Sequence, residues 1–262
     1  MNTEMGAEEG IIRPIKGKGD PLVDPDVLMV MIPSELKHLA QVAKAHEVVF
    51  SEMRLYRLYQ TERGSDVPLT LSGPFLGAPH AVMAMEKLIV LGAKRIWVLG
   101  WCGSLQPHIP IGHIVVPTGA VSEEGTSPHY PIGERPLESD ERLNRMLGEA
   151  LERRGIPFSK GMVWTTDAIY RETPGKVKDY QARGILCVEM EISALMTLAL
   201  YRSVSMTGLL VVSDELFDFK WRHGFSNPQL KKNSRGAGQT LLDLATSCAQ
   251  GDINQGFFEG QE

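Results

Sequence analysis

Two glutamates stand one residue apart in the otherwise apolar stretch CVEMEISAL, residues 187–195. Burying an unpartnered charge is costly, so Glu189 and Glu191 either face water or meet a partner. A carboxylate in such surroundings accepts charge-assisted hydrogen bonds from a ligand. The alternative is that both glutamates cap the following helix, because carboxylates are favoured in a first helical turn.

Two further carboxylates follow predicted buried strands. Glu35 comes after the apolar run 27–32, and Asp214 comes after the run 208–213. These are places for chemistry, because ligands of open α/β sheets bind outside the carboxyl ends of the strands. The alternatives are local ones: Asp214 as an N-cap in a loop, and Glu35 as a first-turn acid that complements a helix dipole.

Strands alternate with helices along the chain. Strands are predicted at residues 27–32, 69–72, 95–100, 114–117, 159–166, 185–188 and 206–213, and helices after Pro33 and Pro79 and at 140–154, 192–202 and 229–247. The alternation predicts an α/β fold with a mixed, mostly parallel sheet covered on both faces. Residues 100–103 are expected to form a Gly-rich turn at the end of the third strand.

Composition excludes several classes of protein. The chain has 262 residues, 43% of them hydrophobic, and its evenly spread Gly and Pro predict a single domain (1–262) with an N-terminal extension (1–24) and a flexible tail (250–262). A net charge of −5 argues against a nucleic-acid partner, and the apolar runs are too short to span a membrane. Three scattered cysteines and no signal peptide predict a cytoplasmic location. The histidines lack metal-ligand spacing, so no metal or other cofactor is expected, and small molecules or copies of the chain are the expected partners.

Five segments, in this order, resemble the nucleoside phosphorylase and nucleosidase superfamily, nearest its uridine phosphorylase branch. They are SGPFLGAPHAVMAMEKLIVLGAK (72–94), GWCGSLQPHIPIGHIVVPTGAV (100–121), WTTDAIYRE (164–172), VEMEISAL (188–195) and VVSDEL (211–216). With the first strand and the closing helix they span most of residues 27–245. The resemblance implies a three-layer αβα sandwich around a twisted, partly barrel-like sheet.

The resemblance also implies roles for the charged residues. Met190 and Glu191 are expected to lie against a ribose, with Glu191 accepting hydrogen bonds from the sugar hydroxyls and Glu189 framing the pocket. A carboxylate there favours the positive charge that develops as a glycosidic C–N bond breaks. Asp214 is implied as the proton donor to a purine base. Arg235 is implied as an arginine that modulates Asp214, and a solvated helix charge is its alternative.

The expected base pocket departs from the uridine branch. Thr166, Ile169 and Tyr170 are expected to border the base, but Ile169 replaces the stacking aromatic of that branch and Thr173 stands in the place of its glutamine. A tyrosine at the end of a strand also suits core packing, so the role of Tyr170 stays open. The sequence therefore does not predict a uridine-specific enzyme.

The expected phosphate site departs further. Val98 and Glu35 stand where phosphorolytic relatives place arginines, and Trp101 replaces a small hydroxyl residue. Trp101 is expected to wall off the phosphate pocket, to stack on a base or sugar, or to fill core. An arginine lent by a neighbouring subunit aligns near Ser51, with Arg54 and Arg57 as substitutes. The segment that aligns with the phosphate-binding turn of the relatives is called the former phosphate loop, and it comprises Gly100, Trp101, Cys102 and Gly103.

By resemblance, the chain is expected to cleave the N-glycosidic bond of a nucleoside, with phosphate as acceptor and co-substrate. The missing arginines leave two alternatives: a nucleosidase in which Glu35 activates water, and a nucleoside-binding protein without turnover. A homo-oligomer, either a dimer or a hexamer, is also implied, because relatives build their sugar and phosphate sites at subunit contacts.

Overall fold

The computed structural model describes residues 10–49, 55–62 and 68–259, with side chains through residue 249. Its strands are β1 (Asp26–Val30), β2 (His46–Val48), β3 (Arg57–Gln60), β4 (Thr70–Gly73), β5 (Arg95–Ser104), β6 (Ile114–Glu123), β7 (Phe158–Thr166), β8 (Cys187–Glu189), β9 (Ser205–Glu215) and β10 (Arg222–His223). Its helices are α1 (Pro33–Val42), α2 (Ala78–Leu91), α3 (Glu141–Arg153), α4 (Pro174–Ala182), α5 (Ile192–Arg202) and α6 (Pro228–Glu259). Short 3-10 helices cover Ser127–His129 and Ile169–Arg171.

Within the described ranges these strands form one sheet in the order β10-β9-β6-β7-β8-β5-β1-β4-β3-β2. An additional pairing of β9 with β5 closes β9, β6, β7, β8 and β5 into a ring. The longest pairings, β5 with β9 and β6 with β7, are parallel, whereas β8 meets β5 and β6 meets β9 in antiparallel. The predicted mixed, partly barrel-like α/β sheet is confirmed.

Helices cover both faces of the sheet, because successive strand residues point to opposite sides. In β1, Val27 and Met29 belong to the core cluster that contains α2 and α5, whereas Leu28 and Val30 belong to the cluster of α1, α3 and α6. These two cores produce the three layers. Strands β1, β5 and β9 run parallel to one another, so their carboxyl ends lie at one edge of the sheet.

The opposite edge holds a buried charge that is structurally satisfied. The side chain of Asp26 is fully buried and accepts hydrogen bonds from Arg95 Nε at 2.7 Å and from Trp97 Nε1 at 2.8 Å. A buried carboxylate with such donors is stable without a ligand. The candidate chemistry therefore belongs to the carboxyl edge.

The helix predictions 140–154 and 192–202 are confirmed within a residue at each end, and Asp140 caps α3 by accepting from the N–H of Leu143 at 3.0 Å. The predicted Gly-rich turn at residues 100–103 was wrong. Strand β5 runs through these residues to Ser104 and stays paired with β9 along its whole length, with one irregularity after Cys102. Glycine serves close packing here, because a Cβ at Gly100 would lie 3.0 Å from Leu210 Cδ2.

Several short elements were not predicted from the sequence. Strands β2, β3 and β10 are two to four residues long, and Leu58 of β3 is their only buried residue, so they lack an apolar pattern. Helix α4 buries only Val177 and Tyr180, which is too little for a clear helical period. Helix α6 extends beyond the predicted residue 247. None of the helices that the structure describes has the length and apolar character needed to cross a bilayer.

Candidate active site

Two of the segments that carry predicted carboxylates, residues 188–195 and 211–216, meet at Gly103. In β5, Gly103 pairs with Val188 of β8 on one side and with Asp214 of β9 on the other. The loop after β1 reaches the same edge, because the N–H of Met31 donates to the carbonyl of Leu99 at 2.9 Å. The sheet therefore gathers the segments that hold Glu35, Glu191 and Asp214 around the end of β5.

Glu191 lies immediately before α5 and is only 8% exposed. Its Oε1 accepts a hydrogen bond of 2.6 Å from the N–H of Gly77, the N-cap of α2. Gly77 has a φ of +81°, a left-handed conformation that favours glycine, and the positive end of the α2 dipole favours a negative charge on Glu191. A carboxylate held in this way keeps acceptor capacity for a ligand.

The glutamate pair holds a proton near neutral pH. Burial, followed by the neighbouring charge of Glu189, raises the pKa of Glu191 to about 8, against the hydrogen bond from Gly77. Burial raises the pKa of Glu189 to about 7, against its own hydrogen bonds. Because the two groups interact, the proton belongs to the pair rather than to either residue.

Glu189 caps the helix, whereas Glu191 does not. Oε2 of Glu189 accepts from the N–H of Glu191 at 2.6 Å and of Ile192 at 2.7 Å, and its Oε1 accepts from the hydroxyl of Thr165. The capping alternative therefore describes Glu189, and Glu191 is turned toward Gly77 instead. Met190, between them, is partly exposed.

Sequence reasoning missed Glu124, a buried carboxylate behind this pair. It accepts from the hydroxyl of Ser193 at 3.0 Å, from the hydroxyl of Ser122 at 2.7 Å and from the N–H of Thr126 at 2.6 Å. Burial raises its pKa, but the hydrogen bonds outweigh burial and lower the pKa overall. The only sequence signal was the SEEGTS run of hydroxyl and acidic residues at 122–127.

Asp214 lies in β9, one residue before the strand ends, so the N-cap alternative was wrong. Its Oδ1 accepts from the hydroxyl of Ser213 at 2.6 Å, and its Oδ2 accepts from the indole N–H of Trp221 at 3.0 Å. Gly103 makes room for this carboxylate, because a Cβ there would lie 3.0 Å from Oδ2 of Asp214. Burial, and secondly the nearby charge of Asp214, raise the pKa of Glu172 to about 7.

Arg235 pairs with Glu35 rather than with Asp214. Its Nε lies 3.2 Å from Oε2 of Glu35, and its side chain is 30% exposed, so the alternative of a solvated helix charge was wrong. Burial raises the pKa of Glu35, and the guanidinium of Arg235 opposes that shift. The ion pair joins α1 to α6 beside the first loop. The predicted influence of Arg235 on Asp214 stays a prediction.

The predicted base-pocket residues lie at the end of β7. Thr166 is buried and its hydroxyl accepts from the N–H of Ala168 at 3.3 Å, while Ile169 is half-exposed on the 3-10 helix that follows. Tyr170 is 95% exposed, so the core-packing alternative was wrong. Asp167 accepts from the N–H of Gly125 at 2.8 Å, which fixes the exit of this strand.

The former phosphate loop is a strand whose residues differ in surroundings. Trp101 is partly buried, donates its indole N–H to the hydroxyl of Ser234 at 2.9 Å, and stacks on Phe225 with ring centroids 6.0 Å apart. Cys102 is buried, and burial strongly raises the pKa of its thiol, which disfavours a nucleophilic role. Val98 is fully buried in the core, so its side chain does not face an open site. Ser51 and Arg54 lie outside the described residues, and Arg57 is an exposed residue paired with Glu47.

A groove of about 1230 Å³ lies beside the site. Residues of the N-terminal segment, β2, β3 and α2 line it, and Asp167, Gly125 and Pro74 form the border nearest the candidate pocket. Several of its apolar side chains, including Ile12, Leu55 and Met83, are exposed. No cluster of His, Cys, Asp and Glu that could hold a metal occurs among the residues that the structure describes.

The comparison with protein families agrees with this architecture. The model of the phosphorylase superfamily matches residues 25–248. The chain belongs to this superfamily. Its fold resembles that of purine nucleoside phosphorylase from Toxoplasma gondii, with a TM-score of 0.80 at 23% identity over 90% of this chain and 99% of that one. It also resembles uridine phosphorylase from Vibrio fischeri, with a TM-score of 0.75 at 26% identity over 86% and 92% of the two chains.

Sequence relatives carry several substrate names. The chain is 28% identical to guanosine phosphorylase of Halorubrum lacusprofundi over 78% of this chain and 83% of that protein. It is 29% identical to a DeoD-type purine nucleoside phosphorylase of Caldanaerobacter subterraneus over 82% and 89% of the two chains, and 29% identical to uridine phosphorylase of Thermococcus kodakarensis over 65% and 66%. The predicted kinship with nucleoside phosphorylases is confirmed.

Proposed function

We propose that this protein cleaves the N-glycosidic bond of a nucleoside and transfers the ribosyl group to phosphate. The observation that carries the proposal is the buried carboxylate of Glu191, held by the N–H of Gly77 at the edge where β5, β8 and β9 meet. Its superfamily and its relatives named guanosine, uridine and purine nucleoside phosphorylase support phosphate as the acceptor.

In this reaction Glu191 accepts hydrogen bonds from the ribose hydroxyls. As the C–N bond breaks, its electron pair moves to the base, and positive charge develops at the anomeric carbon, which a nearby carboxylate stabilises. A phosphate oxygen then forms the new bond to that carbon. Asp214 donates a proton to the departing base and is reprotonated from solvent. Met190 borders the sugar, and Thr166, Ile169 and Tyr170 border the base.

Arg235 supplies a cation near the first loop, where the sequence lacks the expected arginine. Its guanidinium lies beside Glu35, and Lys231 on the same helix also acts electrostatically on Glu35. Phosphate needs cationic or multiple N–H donors, and Arg235 provides both. Arg235 is therefore proposed to bind phosphate, exchanging its contact with Glu35 for one with the anion.

Hydrolysis is the second candidate. Glu35 favours it, because burial raises the pKa of this carboxyl and makes it a better base near neutral pH. In that reaction the Glu35 carboxylate takes a proton from water as the water oxygen attacks the anomeric carbon. Both reactions use the same Glu191 and Asp214.

A product assay separates the candidates. The purified protein is incubated with a panel of purine and pyrimidine nucleosides, with and without inorganic phosphate. Phosphorolysis requires phosphate and yields ribose-1-phosphate, whereas hydrolysis yields free ribose in its absence. Binding without either product would identify a non-catalytic nucleoside-binding protein and refute both reactions.

The groove beside the site supports a homo-oligomer. Its exposed apolar side chains belong to α2 (Met83), to the connection between β2 and β3 (Val49 and Leu55) and to the segment that precedes β1 (Ile12 and Ile15). A dimer or a hexamer built from this face is proposed. Light scattering checks it, and a mass near that of the 28.9 kDa monomer at all micromolar concentrations would refute it.

A further inference from the structure

Trp221 stands out because a large aromatic ring is 62% exposed while its N–H is fixed to Asp214. It lies in the segment 216–227, which connects β9 to α6. An indole has one donor and a broad apolar face. Since its donor edge meets Oδ2 of Asp214 at 3.0 Å and most of the ring remains accessible, a ring face is left for a planar ligand.

Backbone contacts hold this segment against the sheet. Strand β10 pairs with the end of β9, with His223 opposite Asp214. The N–H of Gly224 donates to the carbonyl of Ser213 at 2.8 Å, and the N–H of Leu216 donates to the carbonyl of Ser104 at 2.9 Å. Trp221 is therefore carried on a short hairpin with a defined position, and the contact with Asp214 follows from the fold.

Trp221 also belongs to a row of aromatic rings along the site edge. Its ring centroid lies 6.3 Å from that of Phe225, which in turn stacks on Trp101 at 6.0 Å. The indole of Trp101 reaches Ser234, the neighbour of Arg235. The row thus runs from the Asp214 end of the site toward the Glu35–Arg235 ion pair.

Ile169, three residues after β7, stands where the uridine phosphorylase branch has a stacking aromatic, and Tyr170 beside it is 95% exposed. We propose that Trp221 replaces that aromatic, so that its ring face stacks on the nucleobase while its N–H holds Asp214 in the orientation in which that carboxyl acts on the base. Trp221 is thus a substrate-contacting residue and, toward Asp214, a positioning residue. This role rests on the proposed function.

Two substitutions separate the two parts of the role. Trp221→Phe keeps a stacking ring and removes the N–H donor, so kcat should fall roughly 10- to 100-fold, which corresponds to the loss of a hydrogen bond to a charged group, while KM changes less than about twofold. Trp221→Ala removes the ring as well, so KM should also rise roughly 5- to 100-fold, the range expected for base stacking. Phe219→Leu is the control, since it alters another exposed aromatic of the same segment.

Melting temperature and fluorescence distinguish this role from a structural one. Both Trp221 variants should melt within a few degrees of the wild type, because the side chain is mostly exposed. Nucleoside binding should quench the emission of the wild-type protein, and Trp221→Phe should lose most of that quenching.

A Trp221→Phe variant with wild-type kcat would refute the positioning of Asp214, and a Trp221→Ala variant with wild-type KM would refute stacking. Loss of activity in step with a large drop in melting temperature would make the role structural and overturn the proposal. Absence of any nucleoside cleavage by the wild type would refute the proposed function, and this role with it. Cleavage that both variants retain would refute the role of Trp221 alone.

Discussion

Replacing Glu191 with glutamine tests the centre of the proposed site. The side chain keeps its size, and the amide oxygen of Glu191→Gln can still accept the hydrogen bond from Gly77. What disappears is the ability to carry a negative charge. The variant therefore separates the charge of this residue from its packing.

The structure predicts a pH-dependent gain in stability for this variant. The pKa of Glu191 rises from 4.5 to about 8 on folding, so the native protein holds a proton that the unfolded chain loses between these values. Wild-type stability therefore falls as pH rises from about 4.5 to about 8 and then levels off. At about 1.4 kcal/mol per pKa unit, the upper bound is about 5 kcal/mol, and coupling to Glu189 reduces the share of Glu191 alone.

The affinity for nucleoside should change in the opposite direction. The ionised carboxylate is the stronger acceptor for ribose hydroxyls, so wild-type binding should tighten as pH rises from 6 to 8. Glu191→Gln should bind more weakly at pH 8 by about 1.5 to 3 kcal/mol, and it should lack the part of the pH dependence that Glu191 contributes.

Thermal melts between pH 5 and 8.5 and calorimetric titrations with a cleavable nucleoside measure both effects. Glu152→Gln, an exposed residue of α3, is the matched control and should match the wild type throughout. A constant difference in melting temperature between Glu191→Gln and wild type across this range would refute the raised pKa. Full affinity of Glu191→Gln at pH 8 would refute the ribose contact.

The remaining predictions concern the ion pair, the acceptor and the strand end. Arg235→Met leaves the buried Glu35 without its ion-pair partner and should lower the free energy of unfolding by about 2 kcal/mol or more. The double variant with Glu35→Gln should recover most of that loss, and chemical denaturation that shows additive losses would contradict this coupling. Phosphate at ten times its Kd should stabilise the wild type by about 1.4 kcal/mol, and Arg235→Met should lose that gain in a thermal-shift assay; an unchanged gain would place phosphate elsewhere. Gly103→Ala introduces a Cβ that would lie 2.5 Å from Leu216 Cδ1 and 3.0 Å from Asp214 Oδ2, so activity should fall at least about tenfold and stability should fall by about 1 to 3 kcal/mol. An active variant of normal stability would show that this close approach is dispensable.

Much of the fold could be predicted from local patterns. The helix Ile192–Arg202 and the strand that contains Asp214 follow from hydrophobic runs and helical spacing, which the sequence displays directly. The positions of Glu189 and Glu191 before a helix were predictable for the same reason. The sequence did not decide which of the two caps the helix, because that depends on the N–H groups each side chain reaches.

Tertiary structure decided the remaining features, because they depend on partners far apart in sequence. The pairing of β9 with β5 closes the ring, and it keeps residues 100–103 in a strand where glycine composition suggested a turn. Arg235 meets Glu35 because α6 packs beside α1, and Trp221 meets Asp214 because a two-residue strand folds back onto β9. A single sequence contains residue types and their local periodicity, whereas strand register and helix packing decide which of those residues share an edge of the sheet.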